Sequence, residues 1–587
     1  MKTVMKALIL GAVLTAGLVS AAAFSASQAV NPQDYPKLTD KELGHIRHLV
    51  RLAHQLPGDW AGFGSLTLAT ERTRTFQIAF GAMALALAQH QYKPAYRELY
   101  QAAIQADIEK LQHPDVWERF MFSSRGGARG GLRTDIGPGW LDPLAKDNIM
   151  LKAYVLQLGA AHDMLYGGNK YDQPGAFTFF YQGNGMGNGL ITFRYTLSDI
   201  AKIIHQEVVD SGYIGSACEP GHIFWSCNAP SSVAFMHFDH LHGTHYADVM
   251  QKMKSRWIEK GFIDPQNYRY GLVVITSLDD RTANQKSLPM MPMAGDAGGW
   301  SGMFNHAWDA KFVESAYYGV GGQDRNHFLQ FNASGEYAKA PVFPGGHQAY
   351  YSLLWGLFLN YAAEVGDKEA VDKLLAYAER NYHPVWRDGE YYYPRNDDYS
   401  VDAQGNSAGV DPWTGSVLIP LARLNKGGGF YKLYNEPWGE EQYRQPYISD
   451  VDRLTTAVSQ AFYDKNKEAL IVTLNPGPIA AKRVQFTVRQ LDPARNYAIS
   501  KDGKAAARVR RDAAGRDASM KSYTAVRAEC PRAPSTTFQA IEPRQSRAAA
   551  TTVGVRRMTR LQSAISSPLR ASAAAVKPGR CVVGSAV

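Results

Sequence analysis

Residues 96–111 read Tyr96-Arg97-Glu98-Leu99-Tyr100-Gln101-Ala102-Ala103-Ile104-Gln105-Ala106-Asp107-Ile108-Glu109-Lys110-Leu111, with apolar side chains at i, i+3 and i+4. On a helix that spacing makes one apolar stripe, and Pro94 just ahead suits a first turn, where its missing N–H has no partner to lose. The same period recurs on both sides. Upstream, Thr39-Asp40-Lys41-Glu42 is a capping box, in which the Thr hydroxyl accepts from a free backbone N–H and the Glu carboxylate reaches back; an apolar-periodic run follows to Leu56. Phe76, Ile78, Ala79, Phe80, Met83 and Leu87 predict a helix apolar on most sides, hence buried. Downstream the pattern predicts helices near 147–165, 197–210, 231–242, 246–259, 305–318, 347–364, 368–380 and 412–425. No convincing strands separate them, so antiparallel helical pairs are expected. With long Gly-rich loops at 121–140 and 291–302, the economical architecture over 36–430 is mainly α, an (α/α)6 barrel, or toroid, whose site lies at the loop end.

The period changes to two after about residue 445. Ala469-Leu470-Ile471-Val472-Thr473-Leu474 and Val484-Gln485-Phe486-Thr487-Val488 predict strands, with Asn475-Pro476-Gly477 and Asp502-Gly503 as turns, so a small β domain is expected over 445–504. Beyond Lys504, Ala, Arg and Ser make up 41 of the last 83 residues and only Tyr523 and Phe538 are aromatic. Such a stretch buries too little surface to fold alone, so 505–587 is expected to be a disordered, basic, low-complexity tail. Two origins stay open for it, an interaction tail and a shifted reading frame.

That tail also explains the charge. The 587-residue chain carries a formal +9, yet residues 505–587 alone contribute +11, which leaves the rest at −2. A nucleic-acid partner is therefore not expected. Hydrophobic residues at 45% and aromatics at 11%, with 32 Tyr, 24 Phe and 11 Trp, describe a chain able to bury a large core and line a concave site. Lys2 and Lys6, the apolar run Ala7 to Val19, and small residues at Ala23-Phe24-Ser25-Ala26 or Ser27-Gln28-Ala29 read as a signal peptide over 1–29. The expectation is an exported protein, periplasmic or secreted, with no integral span after cleavage; an uncleaved N-terminal anchor is the alternative.

Four cysteines, Cys218, Cys227, Cys530 and Cys581, are too few for a disulfide scaffold. Two of them fall in the densest constellation of the chain, Ala217-Cys218-Glu219-Pro220-Gly221-His222-Ile223-Phe224-Trp225-Ser226-Cys227-Asn228. Pro220 pushes Glu219 towards an extended backbone, and Ser231 or Ser232 can cap the next helix, so the stretch is expected in a loop between helices. Two thiols and a carboxyl among Phe and Trp would suit proton exchange with a bound organic molecule. A plain disulfide between Cys218 and Cys227 is the competing reading from spacing alone; zinc is weaker, since no paired ligand spacing is present.

This stretch resembles the linalool dehydratase/isomerase family. The likeness continues through Asp142-Pro143 with Asn148-Ile149-Met150, Leu241-His242-Gly243-Thr244, Ile263-Asp264-Pro265 and Ala307-Trp308, over roughly 40–425. The resemblance implies an (α/α)6 barrel in an exported, cofactor-free enzyme that dehydrates or isomerises an allylic terpene alcohol. By position it makes Cys218 and Cys227 the active-site cysteines, and Met150, Phe224 and Trp308 apolar pocket residues. It also implies three departures: Tyr154 where the family has an active-site His, Phe76 where it has a Tyr, and Phe304 where another pocket Tyr would be. The Asp and Tyr of the family's first hairpin have no clear counterpart near His54 to Trp60, and its disulfide cysteines are absent. The expected catalytic set is Cys218, Cys227, Glu219 and Tyr154, and the expected substrate-binding set Met150, Phe224, Phe304 and Trp308. The substrate is expected to be a small apolar alcohol other than linalool, because a site built around one hydroxyl is sensitive to lost donors and acceptors. The resembled enzyme is a homo-oligomer whose site borrows from a neighbour, which leaves homo-oligomerisation open here.

Other signals weigh less. His237, His240, His242 and His245 do not share one helix face, so hydrogen-bonded helix histidines are expected rather than a metal site. Gly295 to Gly302 lacks the Lys-Ser/Thr of a phosphate loop and is expected to rim the pocket, with Trp300 and Trp308 inward. Asp296, Asp309, Glu314 and Glu219 beside Trp platforms, with Tyr391-Tyr392-Tyr393 able to stack sugars or simply pack, keep a carbohydrate hydrolase or lyase as the second reading. A non-catalytic ligand-binding protein on the same scaffold is the third.

Overall fold

A computed structural model describes residues 30–541, except 64–73, 126–138, 183–188, 294–295, 323–324, 326–350, 395–409, 411, 480–482, 485, 493–496, 502–503, 510–522 and 525–535. The signal peptide expected over 1–29 and the tail beyond 541 lie outside the described residues.

The described chain is mainly helical, with small sheets. Its longer helices are α1 (Asp40–Ala53), α2 (Arg74–Tyr92), α3 (Glu98–Leu111), α4 (Ile149–Tyr166), α5 (Leu197–Asp210), α6 (Trp225–His242), α7 (Asp248–Glu259), α8 (Asp296–Tyr318), α9 (Tyr351–Val365), α10 (Lys368–Asn381), α11 (Ile419–Leu424) and α12 (Gly429–Asn435). The capping box of α1 is present as expected: Glu42 N donates to Thr39 Oγ1 at 3.4 Å and Thr39 N donates to Glu42 Oε2 at 2.7 Å. Composition sorts the helices into two kinds. In α4 every residue from Ile149 to Leu165 is buried, and α2 is buried almost throughout, as helices apolar on all sides must be. By contrast α5, α7 and α10 bury a single stripe.

The buried helices pack in sequence. α2 lies against α4, α4 against α6, α6 against α8, α8 against α9, and α9 against the π-helical turn Thr414–Leu418 and α11, which return to α2. The stripe-burying helices cover them, with α3 on α2 and α4, α5 on α4, and α10 on α9.

Two boundaries differ from expectation. α6 begins at Trp225, not after Pro230, so Cys227 and Asn228 occupy its first turns and Pro230 sits inside the helix. Likewise α8 begins at Asp296, so the glycine run expected as a pocket-rim loop opens a helix. Glycine is a poor helix former, but close packing requires it here: a Cβ on Gly302 would lie within 2.6 Å of the Tyr361 ring.

The loops also hold strands that periodicity did not predict, because pieces of two to five residues are too short to show alternation. Phe177–Tyr181 pairs with Ile191–Tyr195, and His222–Phe224 pairs with Val273–Ile275, both antiparallel. After residue 445 the strand predicted at 484–488 is divided between Arg483–Val484 and Thr487–Arg489, while the one predicted at 469–474 lies in Ala469–Pro476 and pairs with Thr456–Asp464, a strand that was not predicted. The latter two belong to a five-stranded sheet that runs past Lys504, where the sequence reading ends the β region: Lys504–Val509 pairs at one edge, and Thr536–Ile541 lies between Ala469–Pro476 and Tyr497–Lys501. A strand poor in apolar residues can still be held by the ladder bonds of two neighbours.

Candidate active site

Cys218 and Cys227 are brought together by backbone and amide bonds that the surrounding sequence supplies. Glu219-Pro220-Gly221-His222 is a type II turn, with Pro at the second corner, Gly221 at φ +74° at the third, and His222 N donating to Glu219 O at 2.8 Å. Cys218 N donates to His222 O at 2.9 Å, which folds the turn back on the cysteine. On the other side the segment caps α4: Asn148 N donates to Cys218 O at 3.2 Å and Ile149 N to Ala217 O at 3.1 Å.

Asn228 fixes the second cysteine to this segment. Its Oδ1 accepts from Ser216 N at 2.9 Å, while its Nδ2 donates to Ser216 O at 2.9 Å and to Phe224 O at 2.8 Å. A fully buried amide thus replaces a strand partner, one residue from Cys227 and two from Cys218. The clamp needs Gly215, whose φ is +131°: a Cβ there would stand 2.9 Å from Ile223 Cγ2 and 3.0 Å from the Asn228 amide. Gly215→Ala is expected to lower stability by about 2 kcal/mol, read as a shifted urea midpoint at unchanged slope.

Glu207, on α5, ties the same elements from behind. Its carboxylate accepts from Lys152 Nζ at 2.5 Å, Ser216 Oγ at 2.5 Å and Asp147 N at 2.8 Å. Asp147 and Asn148 both have positive φ, 52° and 51°, a costly entry to α4 that these bonds hold in place.

Tyr154 projects from α4 one turn after Met150 and is fully buried, as Met150 nearly is. Its hydroxyl oxygen accepts from Trp300 Nε1 at 3.0 Å. Around it the ring of Phe76 is centred 6.0 Å away and that of Phe80 5.9 Å away, both edge-on. Trp413 closes the box, stacked on Phe76 at 4.8 Å and edge-on to Trp300 at 5.0 Å and Phe80 at 5.2 Å. Burial holds the Tyr154 phenol well above its ordinary pKa; the Trp300 bond opposes this, and negative charge on Cys227 or Cys218 would push it further up. Tyr154 is therefore a protonated hydroxyl at any working pH, and the two cysteines are the ionisable groups that act on it.

Of the expected residues, Tyr154, Cys218, Cys227 and Met150 thus gather here. Cys227 is buried, Cys218 half-buried, and both are thiols, so the disulfide reading does not describe the structure. Phe304 reaches the box through Phe80, 5.8 Å away. Phe224 is half-buried at the N-cap of α6. Trp308 lies on another face of α8, where its Nε1 donates to Asn305 Oδ1 at 3.2 Å, and it lines a narrow cavity with Trp225, Met293 and Phe312. Glu219 stands at the first corner of the turn and is not among the groups acting on Tyr154. Sequence reasoning passed over Phe80 and Trp413; the first was read only as core, and the second sits in a predicted helix with no motif to mark it.

Other candidates are spent elsewhere. Asp309 pairs with Lys254, and Glu314 faces His306 at 3.3 Å. The Asp296 side chain lies outside the described residues. His237 and His240 each bond a backbone carbonyl, Leu433 O at 3.0 Å and Trp438 O at 3.1 Å. Tyr391 and Tyr393 are buried, and Tyr392 stacks on His48, so these rings pack against α1. Among the described residues no three His, Cys, Asp or Glu are grouped to hold a metal ion, and no helix is long and apolar enough to cross a membrane.

A family model described as linalool dehydratase/isomerase matches residues 75–399. Among solved structures, an inactive variant of the alpha-1,6-mannanase GH76A of Salegentibacter sp. HEL1_6 in complex with alpha-1,6-mannotriose aligns with a TM-score of 0.36 at 9% identity, over 66% of this chain and 98% of that one. A second structure of that mannanase gives 0.36 at 10% identity over the same shares. A likeness of that degree carries no inference about this chain.

Proposed function

We infer the function from the premise that this chain belongs to the linalool dehydratase/isomerase family: it is an exported lyase and isomerase that removes or transposes the hydroxyl of a small apolar allylic alcohol. The scaffold in this reading is an (α/α)6 toroid formed by the sequential packing of α2, α4, α6, α8, α9 and α11. The observation that carries it is one buried constellation, in which two thiols face a permanently protonated tyrosine inside a box of aromatic rings.

Tyr154 gives its phenolic proton to the leaving hydroxyl, the C–O bond breaks, and its electron pair leaves with water. The Trp300 N–H, already on the phenolic oxygen, stabilises the phenolate as it forms. An allylic cation develops among Phe76, Phe80, Trp300 and Trp413, whose ring faces attract positive charge. A thiolate of Cys218 or Cys227 then takes a proton from the neighbouring carbon, and the C–H electron pair becomes the new double bond. Return of that proton from thiol to phenolate restores the enzyme. If water adds back at the other end of the allyl unit, the product is the transposed alcohol. Glu219, outside the groups acting on Tyr154, has no step here.

The test is a panel of allylic alcohols of five, ten and fifteen carbons, in primary and tertiary isomers, with products followed by gas chromatography and mass spectrometry. Conversion of at least one to its diene or transposed isomer is expected. Hydrolysis of a mannoside or other glycoside by the same preparation, with no alcohol converted, would overturn the reading.

A further inference from the structure

Trp413 lines the aromatic box from a segment beyond residue 399, where the family match ends. It is 1% exposed, yet its Nε1–H is buried with no hydrogen-bond partner. Leaving an indole N–H in this state is unfavourable relative to a satisfied one; among the described residues Trp117, Trp140, Trp225 and Trp355 share it, and Trp413 is the one whose ring meets Phe76, Phe80 and Trp300. The backbone beside it is also unusual: Thr414–Leu418, directly after Trp413, forms a π-helical turn, a rare element that recurs at functional sites. The neighbouring Trp300 differs in one respect, since its N–H is taken by Tyr154. Tyr154, having accepted that bond, still has its own O–H hydrogen to give.

We propose that Trp413 Nε1–H and Tyr154 O–H together seat one oxygen atom of an otherwise apolar ligand, making Trp413 a specificity-determining residue that selects a mono-oxygenated hydrocarbon over its deoxygenated counterpart. This rests on the reading of the thiol and tyrosine site given above and narrows its substrate. The rings of Phe76, Phe80 and Trp300 offer the ligand carbon skeleton only dispersion and π contact, so discrimination falls to these two donors. The arrangement also gives direction to the reaction. A hydroxyl oxygen has two lone pairs; one takes the Tyr154 proton in the bond-breaking step, and the other stays on Trp413, which keeps the departing water in place for return to either end of the allyl unit.

The experiment uses the full mature chain and the variant Trp413→Phe, which keeps a stacking ring and removes only the donor. The probes are prenyl alcohol and the five-carbon hydrocarbon of the same skeleton without the hydroxyl. Binding is followed by indole N–H resonances in nitrogen-15-labelled protein. In the wild type, prenyl alcohol should move one indole resonance downfield, and Trp413→Phe should abolish that resonance. The variant should bind prenyl alcohol about three- to tenfold more weakly and the hydrocarbon within twofold of the wild type. Equal alcohol binding by variant and wild type would overturn the role of Trp413 and leave the thiol reading standing. So would an alcohol-shifted resonance that assigns to another tryptophan, a measurement that needs no variant to fold. No preference of the wild type for alcohol over hydrocarbon, together with no turnover in the alcohol panel, would overturn both.

Discussion

Tyr154→Phe should lower kcat on the best alcohol of the panel by about 10²- to 10⁴-fold, the usual worth of a positioned general acid. The change removes one oxygen from a fully buried position and keeps the ring that Phe76 and Phe80 contact edge-on. What it strands is the Trp300 N–H, which loses its acceptor and costs about 1–3 kcal/mol of stability. That loss is visible in denaturation but too small to unfold a typical domain. Two controls separate chemistry from packing. Alkylation of Cys218 and Cys227 by iodoacetamide should proceed at wild-type rates within about twofold, since the thiols remain. Trp300→Phe, which leaves the proton but removes the donor that stabilises the forming phenolate, should lower kcat by about 10²-fold, less than the loss of the phenol itself. Because burial holds the Tyr154 pKa well above its ordinary value, no loss of activity between pH 7 and pH 9 should trace to its ionisation. A Tyr154→Phe enzyme within threefold of wild-type kcat would exclude the phenol as the proton source and move that role to a thiol.

How far this site was legible in advance depends on the kind of signal each part carries. Every predicted helix is present because a period of 3.6 over twelve or more residues is a strong pattern, and the Thr39 capping box named its start correctly. The ends were read less well where a local rule met a tertiary demand. Ser231 or Ser232 as a cap argued for a helix beginning there, yet Asn228 captures Ser216 and Phe224 and so draws the first turns of α6 upstream of Pro230. The glycines near 298–302 argued for a loop, but the Tyr361 ring needs the room that only glycine leaves. Within the site, the cysteines were found through their motif and Tyr154 through its position in a family pattern. Trp413 had neither. Its part follows from contacts with residues more than 100 positions away, and pairwise ring geometry leaves no trace in a single sequence. The strand Thr536–Ile541 was missed for a related reason, because its place between two neighbours is set by the sheet and not by its own composition.

Acidification should destabilise the protein well above the range in which its carboxylates protonate, and His237 is the clearest single cause. The ring is fully buried on α6, donates Nε2–H to Leu433 O at 3.0 Å, and has a buried Nδ1 with no partner. Burial, assisted by the charges of His90 and His240, lowers its pKa from 6.5 to about 3, against a smaller upward push from the Leu433 bond. At this site the folded state therefore binds fewer protons than the unfolded chain between about pH 3 and pH 6.5. The contribution of neutral His237 to stability is fully present above that value and is lost progressively as pH falls from 6.5 towards 3. At pH 5 the loss is about 2 kcal/mol, and near pH 3 about 4 kcal/mol. His45, His48, His90 and His162 are lowered chiefly by burial and add in the same direction. His306 opposes them. Glu364 and Glu314 raise its pKa against burial, so its contribution is present below pH 6.5 and is lost as pH rises through its folded value. His205 is lowered as well, while Asp107, Asp147 and Asp309, raised chiefly by burial, join His306 on the opposing side, so the His237 contribution is read by comparing two proteins. Urea unfolding at pH 7.5 and pH 5.0 should show it, and His237→Gln isolates the main term, because the glutamine amide can still donate to Leu433 O but cannot titrate. The variant should lose about 2 kcal/mol less than the wild type between those two pH values. Identical pH dependence in the two proteins would mean that His237 is already protonated in the fold, paired with a group that the geometry around Nδ1 does not contain.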